Sequence, residues 1–272
     1  MRETTFYKMV GAGNDFILVD ARRRKLERNP SALAQIWCDR RRGIGADGLL
    51  LVLPSRRAEA RMRIFNPDGS EATMCGNGLR CVAWYLHRCG SHPGNGFLSL
   101  ETGAGILQAT IVARERTRIV VAAPRKLMLH TRLPVRGKNL TIHSVNTGVP
   151  HVVVLTSRLN KMDLALLGPT LRRHPFFKPQ GTNVNFVHIQ SPRRIGIRTY
   201  ERGVEAETLA CGTGAVASVV IGTALGKLTP PIQVKTASGE PLVVDFKEGR
   251  NFEKGATLEG PARILFRGAT SL

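Results

Sequence analysis

Short stretches of branched apolar residues recur along the chain. Ile17 to Val19, Ile119 to Val121 and Val152 to Leu155 read as strands. Turn-forming clusters such as Asn66-Pro67-Asp68-Gly69 separate them. Two segments have a different period. After Cys75-Gly76-Asn77-Gly78, the residues Leu79, Val82, Ala83 and Leu86 stand at i, i+3, i+4 and i+7, one face of a helix. After Cys211-Gly212-Thr213-Gly214 comes a run of small residues, Ala215, Ala217, Ser218 and Val219 to Ala224. Gly222 is unfavourable inside a helix, but a helix buried on all sides accepts small residues. The pattern therefore predicts strands wrapped around two helices, each beginning at a cysteine.

The segments also repeat. Gly13 to Val19 resembles Gly148 to Val154, and Gly45 to Leu50 resembles Gly181 to Phe186. Arg63 to Asn66 resembles Arg198 to Glu201, and Glu71 to Gly78 matches Glu207 to Gly214. All four matches run in the same order at an offset of 135 or 136, half the chain length. The expected fold class is α+β, with two pseudo-symmetric homologous domains, each a strand-rich, barrel-like sheet around a central helix. The connection Ala123-Pro124-Arg125 places the boundary so that 1–125 form the first half and 126–262 the second. The C-terminal strand, 263–272, is expected to return to the first half.

Composition narrows the class. An apolar content of 42% fits a folded globular protein and argues against disorder. No apolar run approaches the ~20 residues that span a bilayer. The stretch from Met1 to Asp15 lacks the form of a signal peptide, so the cytoplasm is the expected location and no membrane partner is expected. Five cysteines without a CxxC pair or zinc spacing argue for thiols, with no metal site. Cys38, Cys81 and Cys89 read as ordinary buried small residues.

The formal charge of +20 raises a nucleic-acid reading, with clusters at Arg22-Arg23-Arg24-Lys25 and Arg40-Arg41-Arg42. The remaining cations are scattered, and 6% aromatic content offers no obvious stacking platform. No specific nucleic-acid partner is expected.

The duplicated Cys-Gly-x-Gly carries the chemistry. A helix N-terminus leaves N–H groups unpaired and positive, which favours a thiolate and binds a carboxylate. The glycines let the backbone approach that ligand. Two such devices in homologous halves suit one stereocentre held between two sulfurs, one a base and the other an acid. The expected activity is an amino-acid racemase or epimerase using Cys75 and Cys211, with a carboxylate held by Gly76, Asn77, Gly212 and Thr213 and no cofactor.

At these residues the chain resembles the diaminopimelate epimerase family. The matching segments are Lys8 to Phe16, Phe65 to Ser70 running into Met74 to Cys81, Gly181-Thr182-Asn183, and Tyr200 to Gly203 running into Ala210 to Gly214. The resemblance covers essentially the whole chain. Proline racemase-like enzymes share the cysteine pair but typically carry His where this chain has Asn77, and phenazine-biosynthesis-like relatives lack the pair. The resemblance implies interconversion of LL- and meso-diaminopimelate without pyridoxal phosphate, for lysine and peptidoglycan synthesis, in a homodimer.

Carried over by residue, the resemblance makes Cys75 and Cys211 the acid and base. Asn14, Asn66, Asn183 and Arg202 recognise the distal end of the small-molecule substrate. Glu201 accepts from its ammonium, and His151 and Glu201 tune the thiols. Plainer readings are a turn residue for Asn66, a satisfied core histidine for His151 and a surface pair for Glu201 and Arg202. Val149 stands where the family often has Asn, and Gly48 where some members have Gln. The backbone, or a neighbour such as Asn185, is expected to compensate. These departures keep open a second reading, the same chemistry on another amino acid. A basic nucleic-acid-binding protein on the same fold is a third.

Overall fold

The computed structural model describes residues 3–23, 26, 28–89, 96–249 and 251–270. Arg24 and Lys25 of the first basic cluster lie outside the described residues, as do Met1, Arg2 and the last two residues of the expected returning strand. The chain forms two compact units, 1–119 with 259–272, and 120–258.

In the first unit the order is β1 (Thr4–Gly11), β2 (Asn14–Asp20), α1 (Pro30–Trp37), β3 (Gly48–Leu53), β4 (Ala60–Phe65), β5 (Glu71–Ala72), α2 (Gly76–Arg88), β6 (Phe97–Thr102), β7 (Gly105–Ala113) and β8 (Arg116–Val121). The chain continues through β9 (Arg125–Val135), β10 (Lys138–Asn146), β11 (Pro150–Leu155), α3 (Leu164–Arg172), β12 (Asn183–Ser191), β13 (Arg194–Glu201), β14 (Ala206–Thr208), α4 (Gly212–Ala224), β15 (Ile232–Lys235), β16 (Pro241–Glu248) and β17 (Asn251–Pro261). The last strand, β18 (Arg263–Thr270), pairs antiparallel with β1.

The division falls inside β8 and β17, not at the 125/126 and 262/263 boundaries expected from sequence. Specific contacts set both points. The Val121 carbonyl packs on Gly255 of the second unit, where an added Cβ would lie 3.1 Å from it. Glu259 belongs to the first unit because Arg116 and Arg118 hold its carboxylate at 2.9 and 3.0 Å. Ala262 also donates to the Glu115 carbonyl at 2.9 Å.

The repeat extends to the pairing register. Phe16 opposes Gly48 in the parallel pair β2–β3, and His151 opposes Asn183 in the parallel pair β11–β12. Leu49 opposes Phe65 across β3–β4, as Val184 opposes Tyr200 across β12–β13. Parallel neighbours need a crossover connection, here carrying a helix in each unit. Asn29 caps α1 by accepting from the Ser31 N–H, and Asp163 caps α3 through Leu166. An ion pair repeats as well. Arg63 grips Glu71 at 2.8 and 2.7 Å, and Arg198 grips Glu207 at 2.7 and 2.6 Å. Each bidentate pair ties a short strand to its neighbour just before the chain enters α2 or α4.

Both central helices are embedded in strands. In α2 every residue from Asn77 to Leu86 is buried, so the single apolar face expected from Leu79, Val82, Ala83 and Leu86 is too narrow. Strands β1, β2, β3, β4, β6, β7 and β18 all pack against it. In α4, Gly214 through Gly222 are all buried, against β10, β11, β12, β13 and β16. Gly222 makes room for Leu228, whose side chain would collide with a Cβ there.

Replacing the fully buried Phe186 with Ala is expected to cost about 3–5 kcal/mol of stability, read from urea unfolding. Leu265→Ala, at a side chain 55% exposed, is expected to stay within about 0.5 kcal/mol. Equal losses would contradict this placement of the core.

Candidate active site: two half-sites built on helix N-termini

Cys75 and Cys211 are the N-cap residues of α2 and α4, with extended backbone before the first helical turn. The Gly78 N–H points to Cys75 Sγ at 3.4 Å. Cys211 Sγ lies 3.5 Å from Thr213 Oγ1. The third residue after each cysteine is glycine for a steric reason. A Cβ on Gly78 would lie 2.9 Å from Leu50 Cδ2, and one on Gly214 would collide with Asn185 Oδ1. The other cysteines differ in setting. Burial pushes the Cys38 thiol up to about 11 and the Cys81 thiol up to about 12, and it raises Cys89 as well. The Cys38 and Cys81 thiols stay protonated at neutral pH, which fits their reading as buried packing residues, whereas Cys89 is exposed at the end of α2, contrary to that reading.

In the first unit the expected residues Asn14 and Asn77 meet. Arg80, fully buried in α2, donates from Nη2 to Asn77 Oδ1 at 2.6 Å. Asn77 Nδ2 donates to Asn14 Oδ1, and Asn14 Nδ2 donates to Asp47 Oδ2 at 3.1 Å. A guanidinium only donates and a carboxylate only accepts, so the two ends fix both amide orientations. Below them Lys8 and Arg40 both reach Asp15 at 2.7 Å, and Arg40 also reaches Asp47 at 2.7 Å. Burial alone would raise the Asp15 carboxyl, but its hydrogen bonds from Arg40 and Lys8 prevail and hold it at about 2. Asn66 is exposed and belongs to its turn, donating to Ser70 Oγ at 2.9 Å.

The basic clusters are partly engaged with acids. Arg22 pairs with Asp20 and Arg42 with Asp39, besides Arg40 with its two aspartates. Those cations do not form an uncompensated strip for phosphates.

In the second unit, the Asn183 amide is nearly buried. It donates to the Pro150 carbonyl at 3.1 Å and accepts from the Arg202 N–H at 2.8 Å. It thus anchors the turn that carries Arg202, whose guanidinium lies 3.4 Å from the Gln180 carbonyl. Glu201 is half-buried and accepts from the Thr208 hydroxyl at 2.9 Å, so it is not a simple surface partner of Arg202. Burial raises its carboxyl, against a smaller pull from Thr208. Thr147 holds the start of α4 by donating to the Thr213 carbonyl at 3.1 Å. His151 is fully buried, and burial, with Arg202 adding repulsion, lowers it to about 3.

Asn185 does not compensate for Val149. It is fully buried, and its amide bonds His151, the Val152 carbonyl and Thr199. At Gly48, a Cβ would lie 3.0 Å from the Phe65 carbonyl and 3.5 Å from the Phe16 ring, so a longer side chain requires the strands to shift. The motif reading did not assign roles to Arg80, Asp47, Thr147, Thr199 and Thr208. Arg80 had one available signal, an arginine four residues after a helix start in an otherwise buried segment.

Among the described residues, no three His, Cys, Asp or Glu side chains are grouped to hold a metal ion, and no helix is long and apolar enough to cross a membrane.

Comparison with known proteins places this geometry in context. A model of the family described as diaminopimelate epimerase matches residues 6–126 and 143–265. The diaminopimelate epimerase of Chlorobaculum tepidum is 40% identical over 97% of this chain and 100% of its own. That of Carboxydothermus hydrogenoformans is 40% identical over 97% and 98%. Among solved structures, a phenazine biosynthesis protein from Bacillus anthracis superposes with a TM-score of 0.76 at 17% identity, covering 100% of both chains. A probable proline racemase from Agrobacterium radiobacter gives 0.75 at 18% identity over 99% of this chain and 93% of its own. These two likenesses establish the two-domain, strand-rich fold.

The Asp15 network has a measurable pH signature. A carboxyl held below its unfolded value of 3.8 adds stability above that pH and loses it as the pH falls toward about 2. The urea midpoint should therefore drop more steeply between about pH 4 and pH 2 in the unaltered protein than in Asp15→Asn. Identical slopes would contradict the network.

Proposed function

Since the chain belongs to the diaminopimelate epimerase family, we propose that it interconverts LL- and meso-diaminopimelate through Cys75 and Cys211. The observation that carries the mechanism is the duplicated placement of a cysteine as N-cap of a buried, 13-residue helix. In one direction the thiolate of one cysteine takes the α-proton, and the carbon's electron pair is held by the adjacent carboxylate. The thiol of the other then delivers its proton to the opposite face. The stereocentre is inverted, and the two sulfurs have exchanged protonation states.

The N–H groups at Gly76-Asn77 and Gly212-Thr213 are the donors for the reacting carboxylate, whose negative charge grows as the α-proton leaves. The relay from Arg80 through Asn77 to Asn14 keeps the first set rigid. Thr147 does the same for the second. Arg202 supplies the cation for the distal carboxylate, Asn14, Asn66 and Asn183 are the further residues that the family resemblance assigns to the distal end, and Glu201 receives the substrate ammonium. The product serves lysine and peptidoglycan synthesis.

Cys75→Ser and Cys211→Ser should each lower kcat on LL-diaminopimelate on the order of 100-fold or more, because an alcohol is a far weaker acid and base than a thiol. Rates within a few-fold of the unaltered enzyme in either variant would overturn the two-thiol mechanism. Faster turnover of a mono-amino acid than of diaminopimelate would keep the chemistry and move the substrate.

A further inference from the structure

The strand registers of the two units superpose at an offset of 135, which makes Phe16 equivalent to His151, Leu50 to Asn185 and Ile64 to Thr199. In the first unit this trio is apolar, and Leu50 and Ile64 line the space beside Gly78. In the second unit the trio is polar, although every member remains buried. It adjoins the cysteine. A Cβ on Gly214 would collide with Asn185 Oδ1 and come within 3.3 Å of Cys211 Sγ.

The hydrogen bonds of this trio leave one consistent assignment of protons. Asn185 Nδ2 lies 3.0 Å from the Val152 carbonyl, which only accepts, so the amide nitrogen is fixed on that side. The Thr199 hydroxyl donates to Asn185 Oδ1 at 2.9 Å, which agrees with that orientation. The same Nδ2 lies 3.1 Å from His151 Nδ1. An amide nitrogen offers hydrogens and no lone pair, so Nδ1 must be the acceptor. The single proton of the neutral ring then sits on Nε2. That atom is buried and has no hydrogen-bond partner among the described residues. A buried donor without an acceptor is costly, and such groups mark places where a ligand or a charge is received.

We propose that Asn185, held by Thr199 and the Val152 carbonyl, is a positioning residue that fixes His151 as the neutral Nε2–H tautomer, a hydrogen-bond donor for negative charge in the Cys211 half-site. Burial keeps the ring neutral wherever a thiolate exists, so His151 serves there as a donor and not as a proton carrier. The acceptor is an anion, either the Cys211 thiolate or the substrate carboxylate. The identity of that anion rests on the proposed two-thiol function, whereas the tautomer does not.

The test is two-bond proton–nitrogen NMR of the full-length, reduced enzyme labelled with 15N-histidine, with His151 assigned by the signal lost in His151→Gln. The expected spectrum shows an unprotonated Nδ1 and a protonated Nε2. A protonated Nδ1, or a doubly protonated ring at neutral pH, would overturn the proposal whether or not the enzyme turns over diaminopimelate. Asn185→Asp places an acceptor at Nδ1 and should move the proton there. It should also lower kcat on the order of 10-fold or more, as a wrong histidine tautomer does elsewhere.

Should that variant fail to fold, Asn185→Leu, which removes the donor to Nδ1 and puts there the residue type found at the equivalent Leu50, should populate both tautomers. An unchanged tautomer in a folded Asn185→Asp would sink the positioning role. The Nε2 proton shift separates the two anions. Movement in Cys211→Ala without substrate identifies the thiolate, and movement only on adding diaminopimelate identifies the carboxylate. No response to either would refute the donor role.

Discussion

A helix that begins in the interior of a sheet leaves backbone N–H groups that must be satisfied without bulk water. In this protein that happens twice, at α2 and α4, and much of the local structure serves those two ends. Each starts with a cysteine as N-cap and carries a glycine at the third position because a strand residue occupies the space where its Cβ would be. The bidentate ion pairs Arg63–Glu71 and Arg198–Glu207 hold the short strands that deliver each cysteine. Backbone donors at a helix start, beside a thiol, are what a carboxylate-bearing substrate with an acidic α-proton requires. The same constraint that makes the fold demanding supplies the proposed chemistry.

Duplication gives the two ends a common geometry, and divergence has given them different surroundings. The first is braced by a polar relay anchored on buried Arg80 at one end and on Asp47 at the other. Behind its cysteine the packing is apolar. The second has Thr147 on the helix start and the polar trio of His151, Asn185 and Thr199 behind Cys211. A two-base enzyme working on an LL and a meso centre has no need of two identical bases. The asymmetry is built into residues related by the repeat.

Much of this was legible from sequence, for identifiable reasons. The repeat, the strand-rich halves and the two helices follow from short motifs whose spacing is independent of tertiary contacts. Cys75 and Cys211 stood out because the same rare tetrapeptide pattern appears at equivalent positions. The expected one-faced burial of α2 failed because periodicity registers apolar positions only, whereas the sheet also encloses Asn77 and Arg80. The unit boundary shifted because it depends on pairwise contacts such as Glu259 with Arg116 and Arg118, far apart in the chain. Asn185 was read as a substitute for an absent asparagine at position 149. Only its three partners reveal that the amide is committed to orienting His151.

If two thiols act from opposite faces of one carbon, the fate of the α-hydrogen reports it. Reduced enzyme would be given LL-diaminopimelate in D2O, with no cofactor added, and the α-proton signals followed by NMR through the first turnovers. Deuterium is expected at the inverted centre of the meso product while the remaining LL substrate keeps its α-protons, because the delivering thiol carries solvent deuterium and the accepting thiolate retains the abstracted proton. Deuterium appearing in the LL substrate as fast as in the product, or a meso product that keeps the original proton, would mean a single base and would rule out the two-thiol mechanism.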